Sequence, residues 1–460
     1  MSLTLNDPSA LQKETNSGAV IEDFRKREYH KLDEQNHVYL DFTGASLNSS
    51  TQLEAHHSFL QNNILGNPHS VNPTSQLATK YINETRDYVL NYFNAVEDYY
   101  CVFTQNASGA LKIVGECYPF NANSAFVLTF DNHNSVNGIR VFAKNKGSDV
   151  AYCPVFIEDL RLDTASMDRL LTHYKDKKNK LLAFPAQSNV SGVKHPLSLI
   201  QKAKDLGWDV LLDAAAFVPT NNLNLQEVKP DFVSVSFYKI FGYPTGVGCL
   251  LINKKALPKL QKPWFAGGTV SLVSILADSY ILADTHERFE DGTLDFQNIP
   301  AVKTGLQQVE KIGMHHIQRN ILELTQYLLD ELAALKHSNG VALVHILGPK
   351  NNINRGGTVL LNFFDNSEKP LPFADVEEKA NSANISFRTG CFCNPGIDEI
   401  NNCLSTGELV QYFSTHETGD YNDMIKHLGK MRGAIRISLG IASIKKDADA
   451  FIKFAKSFLQ

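Results

Sequence analysis

The chain has 460 residues, enough for two or three domains and a large core. Apolar residues make up 43% and charged residues 20%, an ordinary globular balance, and 44 Lys+Arg against 49 Asp+Glu leave a formal net charge of −5. That charge gives no general attraction to nucleic acid or to an anionic membrane; with no basic run and no base-stacking motif, neither is an expected partner. No stretch has the uninterrupted apolar length needed to cross a bilayer, and Met1 to Gly18 is polar, so no signal peptide is expected. Seven cysteines, an odd number without dense spacing, point to reduced thiols and a cytoplasmic location.

Residues 1–35 are polar and read as an N-terminal arm lying on the surface or on a partner subunit. Val38-Tyr39-Leu40-Asp41 is a short strand signal, and Gly66-Asn67-Pro68-His69-Ser70 is a loop. From Thr74 to Phe93, Leu77, Tyr81, Tyr88 and Tyr92 share one face of an amphipathic helix. A repeated order of strand, loop and helix follows. Tyr100–Thr104 is a strand, Gln105–Gly109 a small polar loop, and Ala110–Cys117 a helix. Phe126–Phe130 is a strand followed by Asp131-Asn132-His133-Asn134-Ser135. Leu181–Pro185 is a strand followed by Ala186-Gln187-Ser188-Asn189-Val190-Ser191-Gly192. Val210–Leu212 ends in Asp213. Asp231–Phe237 is a buried strand followed by Lys239 and then a Gly- and Pro-rich loop, and Gly248–Asn253 is another strand. This alternation implies a mostly parallel sheet covered on both faces, with the ligand crevice at the carboxyl ends of its strands.

Gly267-Gly268-Thr269 and Arg288-Phe289-Glu290-Asp291-Gly292-Thr293 are further loop signals. A helical tract runs from Val302 to Leu335, broken near Gly313. Beyond it, Gly357–Phe364 and Ile435–Ser438 are strands, Arg388–Gly396 is a cysteine-bearing loop, and Asp447–Phe458 is a closing helix. The expected organisation is an arm (1–35), a large domain (36–300) and a smaller α+β domain (301–460).

The candidate residues converge on one chemistry. A lysine at the end of a buried strand can form a Schiff base with an aldehyde, because partial desolvation lowers its pKa toward the neutral nucleophile. Asp213, ending a neighbouring strand, can hold a heteroaromatic nitrogen protonated. Ala107 and Ser108, at a helix start, offer N–H groups and a hydroxyl to a phosphate, and Ser236 can add another hydroxyl. His133 can stack on a planar ring, and Gln187 and Asn189 can hydrogen-bond a ring hydroxyl. Taken singly, each has an ordinary structural reading: a lysine in a turn, a helix-capping aspartate, a packed histidine. Together they describe a site for pyridoxal 5′-phosphate.

Ser236-Phe237-Tyr238-Lys239-Ile240-Phe241-Gly242-Tyr243-Pro244-Thr245-Gly246 resembles the lysine motif of the molybdenum cofactor sulfurases. Arg388-Thr389-Gly390-Cys391-Phe392-Cys393-Asn394-Pro395-Gly396 resembles their cysteine motif. The segments at Gly66, Pro185 and Arg288 match in the same order, so the resemblance runs from about residue 35 to 458. It implies a class V aminotransferase-like enzyme related to cysteine desulfurases. The implied fold is α/β, fold type I of the pyridoxal-phosphate-dependent transferases: a mostly parallel seven-stranded sheet with helices on both faces, plus a smaller α+β C-terminal domain.

Carried over by position, the resemblance makes Lys239 the Schiff-base lysine, Asp213 the partner of the pyridine nitrogen and His133 the stacking ring. Asn189 would lie near the phenolic oxygen, Ser108 and Ser236 would hold the phosphate, and Arg388 would bind the substrate carboxylate. Cys393 would take sulfur from L-cysteine, or a related amino acid, as a persulfide and release alanine; Cys391 is the lesser candidate. Gly268 and Thr269 would reach the phosphate of a neighbouring subunit, implying a homodimer, and a sulfur-acceptor protein is a possible partner. No metal site is expected, because Cys391, Cys393 and Cys403 lack the spacing and the fourth ligand that zinc requires.

The match also has departures. Full-length members carry a C-terminal domain that binds the molybdenum cofactor, whereas this chain ends at Gln460, so transfer of sulfur to molybdenum would need a separate protein. Ile397-Asp398-Glu399-Ile400 stands where the family continues with Ala-Cys. Ala216 replaces the Gln or Ser of related desulfurases, and Tyr238 follows the sulfurase pattern. The competing enzyme reading is another class V enzyme, a lyase, epimerase or aminotransferase acting on a different amino acid. The non-enzymatic one is a sulfur-carrier or partner-binding scaffold.

Overall fold

The computed structural model describes residues 16–460. Seven strands form the main sheet: β1 (Tyr99–Thr104), β2 (Ser124–Thr129), β3 (Asp149–Cys153), β4 (Asn179–Pro185), β5 (Asp209–Asp213), β6 (Phe232–Ser236) and β7 (Gly248–Asn253). Their order across the sheet is β1-β7-β6-β5-β4-β2-β3. Only β7 runs against the others, pairing antiparallel with both β1 and β6. Six strands therefore point their carboxyl ends to one edge. Central strands such as β5 and β6 are buried throughout, because both faces are covered. Alternate residues join different buried clusters: Val210 and Leu212 lie on one side and Leu211 on the other, as the two-residue strand period dictates.

A second, antiparallel sheet of β8 (Val344–Leu347), β9 (Thr358–Phe363), β10 (Arg388–Gly390) and β11 (Ala434–Ser438) has the order β8-β9-β11-β10. Helices Ile299–Ile312 and Met314–Ala334 lead into it, meeting at Gly313, whose φ of +88° favours glycine.

Of the expected N-terminal arm, residues 1–15 lie outside the described residues. Ser17–Glu28 and His30–Glu34 are helices, and Ile21 and Phe24 are part of the core rather than of a surface arm. Arg25 fixes this entry to the C-terminal half, donating to Asp33 and, at 2.6 Å, to Asp447. Val38–Tyr39 then pairs in parallel with Ile385–Ser386.

The helix expected over Thr74 to Phe93 spans Pro73–Tyr92, but its buried stripe is Ala78, Ile82, Thr85 and Val89. Leu77, Tyr81, Tyr88 and Tyr92 flank that stripe, half-buried. The physical reason is the phenol group: Tyr81 and Tyr88 turn their hydroxyls to Asn63 and Glu310 at the rim. Lys239, expected at the end of the strand, lies within a single helical turn, Phe237–Phe241, that directly follows β6. The cysteine segment expected as one loop divides into β10, a turn over 391–394 and the helix Pro395–Asn401.

Candidate active site

The carboxyl edge of the main sheet gathers the chemistry. Ala107, Ser108, His133, Gln187, Asn189, Asp213, Ser236 and Lys239 line one cleft, with room for water-sized molecules over ≈ 160 Å³. Each follows a strand end: β1 leads to Ala107 and Ser108, β2 to His133, β4 to Gln187 and Asn189, β5 to Asp213 and β6 to Ser236 and Lys239. Residues more than a hundred positions apart meet here because parallel strands all deliver their loops to the same edge.

Lys239 is half-buried at the base of this cleft. Burial pushes its ammonium pKa down; Asp213 opposes that shift, and Arg436 and Arg388 add to it. Asp213 Oδ1 accepts from Ala215 N at 3.1 Å and from Ser234 Oγ at 2.9 Å, so the carboxylate both caps the following turn and is held in place by β6. Among the described residues its Oδ2 accepts no hydrogen bond, which leaves one acceptor for a protonated ring nitrogen. Burial also lowers the pKa of His133, and its Nδ1 accepts from Ser135 N at 3.1 Å. That bond fixes the ring plane on the cleft wall.

The phosphate end is equally built. Asn106 caps the eleven-residue helix Ala107–Cys117, its Oδ1 accepting from Gly109 N at 3.1 Å. Ser236 Oγ accepts from Ala107 N at 2.9 Å, so its own O–H is left to donate. Ser108 Oγ lies 2.6 Å from Ser135 Oγ. A helix start with its dipole, beside two hydroxyls lining the same cleft, suits a dianionic phosphate. A carboxylate with a spare acceptor, a desolvated lysine and this anion site fit pyridoxal phosphate. The lysine would hold its aldehyde, Asp213 its ring nitrogen and the Ala107–Ser108 turn with Ser236 its phosphate.

The remaining expected residues sit elsewhere. Arg388 does not line this cleft; its guanidinium is half-exposed and pairs with Asp41 at 2.7 Å. Sequence reasoning missed a second guanidinium, Arg436 on β11, which is buried, bonded to Asp41 Oδ1 at 2.7 Å and to Asn189 O at 3.0 Å. Its Nε is buried with no partner among the described residues, and the Arg436 charge helps to lower the pKa of Lys239. The only sequence signal was a charge inside the otherwise apolar run Ala434-Ile435-Arg436-Ile437. Asp41 likewise carries no sequence signal beyond its place at the end of the short strand signal from Val38.

Cys393 is exposed and Cys391 half-buried. Their turn is fastened to the cleft wall: Asn189 Nδ2 donates to Phe392 O at 2.9 Å, and Asn134 N donates to Cys393 O at 2.7 Å. The amide of Asn189, expected beside the cofactor's phenolic oxygen, thus already supports the cysteine turn. Gly268 and Thr269 are outside this chain's own cleft, and the buried Thr269 hydroxyl bonds Ala266 O at 2.9 Å. Ala216 does line the cleft and presents only a methyl group. Glu290, within the Arg288–Thr293 motif, proves structural: it accepts from Arg86 and, at 2.7 Å, from Phe103 N on β1.

Residues 38–451 match the family described as aminotransferase class-V. The chain belongs to the class-V aminotransferase family. The chain is 35% identical over 476 residues to a molybdenum cofactor sulfurase of Solanum lycopersicum, covering 96% of this chain and 58% of that protein. It is 36% identical over 478 residues to the molybdenum cofactor sulfurase of Homo sapiens, covering 97% of this chain and 52% of that one. The chain therefore spans little more than half the length of these relatives. Among solved structures, the apo cysteine desulfurase of Thermococcus onnurineus NA1 superposes with a TM-score of 0.79 at 25% identity, covering 95% of this chain and 98% of that one. A cysteine desulfurase of Escherichia coli shares the fold with a TM-score of 0.74 at 19% identity, covering 96% of this chain and 99% of that one. This class-V enzyme thus has the fold type I architecture of pyridoxal-phosphate-dependent transferases, and pyridoxal 5′-phosphate is its cofactor.

Proposed function

We propose that this chain is a cysteine desulfurase or sulfurtransferase that takes sulfur from L-cysteine onto Cys393 and releases alanine. One observation carries the reading: the turn bearing Cys393 is bonded to the same strand-end loops that present His133 and Asn189 to the cleft holding Lys239. When bound, pyridoxal phosphate supplies an aldehyde and an electron sink for the substrate's α-carbon. Arg436, with its unmet Nε–H, receives the substrate carboxylate, and Arg388 stands at the more exposed side of the same pair. The Lys239 amine takes the α-proton, and its lowered pKa suits it to a base. The Cys393 thiolate attacks the substrate sulfur, the C–S electron pair stays on the β-carbon, which takes a proton from solvent, and Lys239 returns a proton to the α-carbon, giving alanine. Sulfur then rests on Cys393 as a persulfide, from which an acceptor protein takes it.

The homodimer expected from the sequence has support in a hairpin. Val270–Ser274 and Ser279–Leu282 pair antiparallel directly after Gly268 and Thr269. The hairpin exposes Leu272, Ile275, Leu276 and Ile281, with Leu276 fully exposed. An apolar patch of this kind calls for a partner surface, here a second copy whose phosphate site the Gly268–Thr269 turn completes. All seven cysteines are unpaired, which supports a reducing, cytoplasmic setting.

The test is alanine formation from L-cysteine by cofactor-loaded protein, wild type beside Cys393→Ala and Lys239→Ala. Alanine from wild type and from neither variant is the expected result. No alanine from cofactor-loaded wild type would overturn the reading for L-cysteine and direct attention to lyase or aminotransferase chemistry on another amino acid.

A further inference from the structure

We propose that Asn394 is a positioning residue for sulfur transfer, registering the backbone of Cys393 against the cofactor cleft. The proposal rests on Cys393 being the sulfur acceptor. Phe392 and Cys393 are consecutive non-glycine residues in the left-handed region, with φ of 56° and 53°. Such a backbone persists only where its surroundings over-determine it.

Asn394 supplies much of that determination. Its side chain is fully buried. Its Nδ2 donates to Asp131 O at 2.6 Å and to Asn189 Oδ1 at 3.0 Å. Its Oδ1 caps the helix Pro395–Asn401 by accepting from Ile397 N at 3.4 Å, and its N–H closes the turn onto Cys391 O at 3.0 Å. Asp131 lies two residues before His133, and Asn189 lines the cleft, so one amide joins the cysteine turn to both strand-end loops. The following residue reinforces the registration: a Cβ on Gly396 would lie 2.0 Å from Phe130 O, so this helix start abuts the end of β2. On the other side the Phe392 ring lies 4.8 Å from the Arg436 guanidinium. The backbone of Cys393 is thus held while its thiol stays exposed, as required of a group that must reach the substrate sulfur and later meet an acceptor.

The residue type follows from these contacts. Aspartate or serine can still cap Ile397 N, but aspartate has no donor for Asp131 O or Asn189 Oδ1, and serine is too short to reach both. Capping and registration are therefore separable.

Asn394→Asp and Asn394→Ser, loaded with pyridoxal phosphate, would be compared with wild type and Cys393→Ala for cofactor absorbance, kcat and KM for L-cysteine. Cys393 persulfide would be measured by mass spectrometry, and iodoacetamide alkylation of Cys393 followed without substrate. Both Asn394 variants should keep the cofactor and the wild-type KM, lose about 100-fold in kcat and in persulfide formation, and alkylate faster at Cys393. A merely structural defect would lower cofactor retention and raise KM as well. Wild-type kcat and alkylation in whichever variant folds, beside an inactive Cys393→Ala, would overturn the positioning role alone. Full alanine production by Cys393→Ala would instead overturn the acceptor reading and this inference with it.

Discussion

Arg388 and Arg436 stand directly opposite each other across the antiparallel ladder between β10 and β11, and the single carboxylate of Asp41 holds both. Like charges in that register repel, and one of these guanidinium groups is buried. Asp41 Oδ2 accepts from Arg388 Nε at 3.1 Å and Nη2 at 2.7 Å, while Oδ1 accepts from Arg436 Nη2 at 2.7 Å. Asp41→Ala strips the counter-charge from buried Arg436 and should cost about 3–5 kcal/mol of stability. Asp41→Asn, which keeps an acceptor, should cost less. Urea unfolding midpoints check both; an unchanged midpoint in Asp41→Ala would show that the pair needs no counter-charge.

The two arginines should separate kinetically. The Arg436 side chain is 3% exposed with an unmet Nε–H, whereas that of Arg388 is 53% exposed and committed to Asp41. Arg436→Lys loses the planar fork where water cannot replace it, so KM for L-cysteine should rise at least about tenfold. Arg388→Lys should change KM by less. The reverse order in steady-state kinetics would return the carboxylate role to Arg388.

The cofactor-capture step should depend on pH in a predictable direction. Burial lowers the pKa of Lys239, with Asp213 opposing and the arginines adding to the shift. A lowered pKa leaves the amine neutral at lower pH than a free lysine, which titrates at about 10.4. Capture of pyridoxal phosphate by cofactor-free protein should therefore quicken as pH rises and level off below that value. Asp213→Asn removes the opposing attraction, so the midpoint should move to still lower pH. Stopped-flow absorbance across pH decides, and an upward shift would contradict the assignment.

A buried ion pair supports the phosphate edge. Arg86 donates to Glu290 at 2.7 and 3.1 Å, and burial raises the Glu290 pKa against the pull of Arg86. Arg86→Ala should destabilise by about 3–5 kcal/mol, because the carboxylate stays buried without its partner. With Glu290 nearer neutrality, the variant should recover part of the loss as pH falls. Denaturant melts at two pH values measure both effects.

Much of this site was legible before the fold was known. Lys239, Asp213, His133, Ser236 and Asn189 each follow a β-branched or apolar run, and the rule that parallel strands send their carboxyl ends to one edge placed them together. The helical face of 73–92 was less legible, since tyrosines count as apolar in a periodicity yet settle at a rim where their hydroxyls stay bonded. The burial of the N-terminal helix is less legible for a related reason: Ile21 and Phe24 are sparse among charges, and the main surface they pack on, Met314–Ala334, lies far along the chain.

By itself the sequence determined the alternation of strands and helices, the lysine and cysteine motifs and the order in which they occur. Those are local properties, set by side-chain period, turn chemistry and spacing along the chain. Only the tertiary structure decided that Asp41 from the N-terminal segment clamps Arg388 and Arg436, and that Asn394 ties the cysteine turn to the loops after β2 and β4. Those partners lie between 205 and 395 residues apart in the chain. Hydrogen-bond geometry acts over about 3 Å of space and leaves no periodic trace in the sequence, so such pairings appear only once the two sheets are packed together.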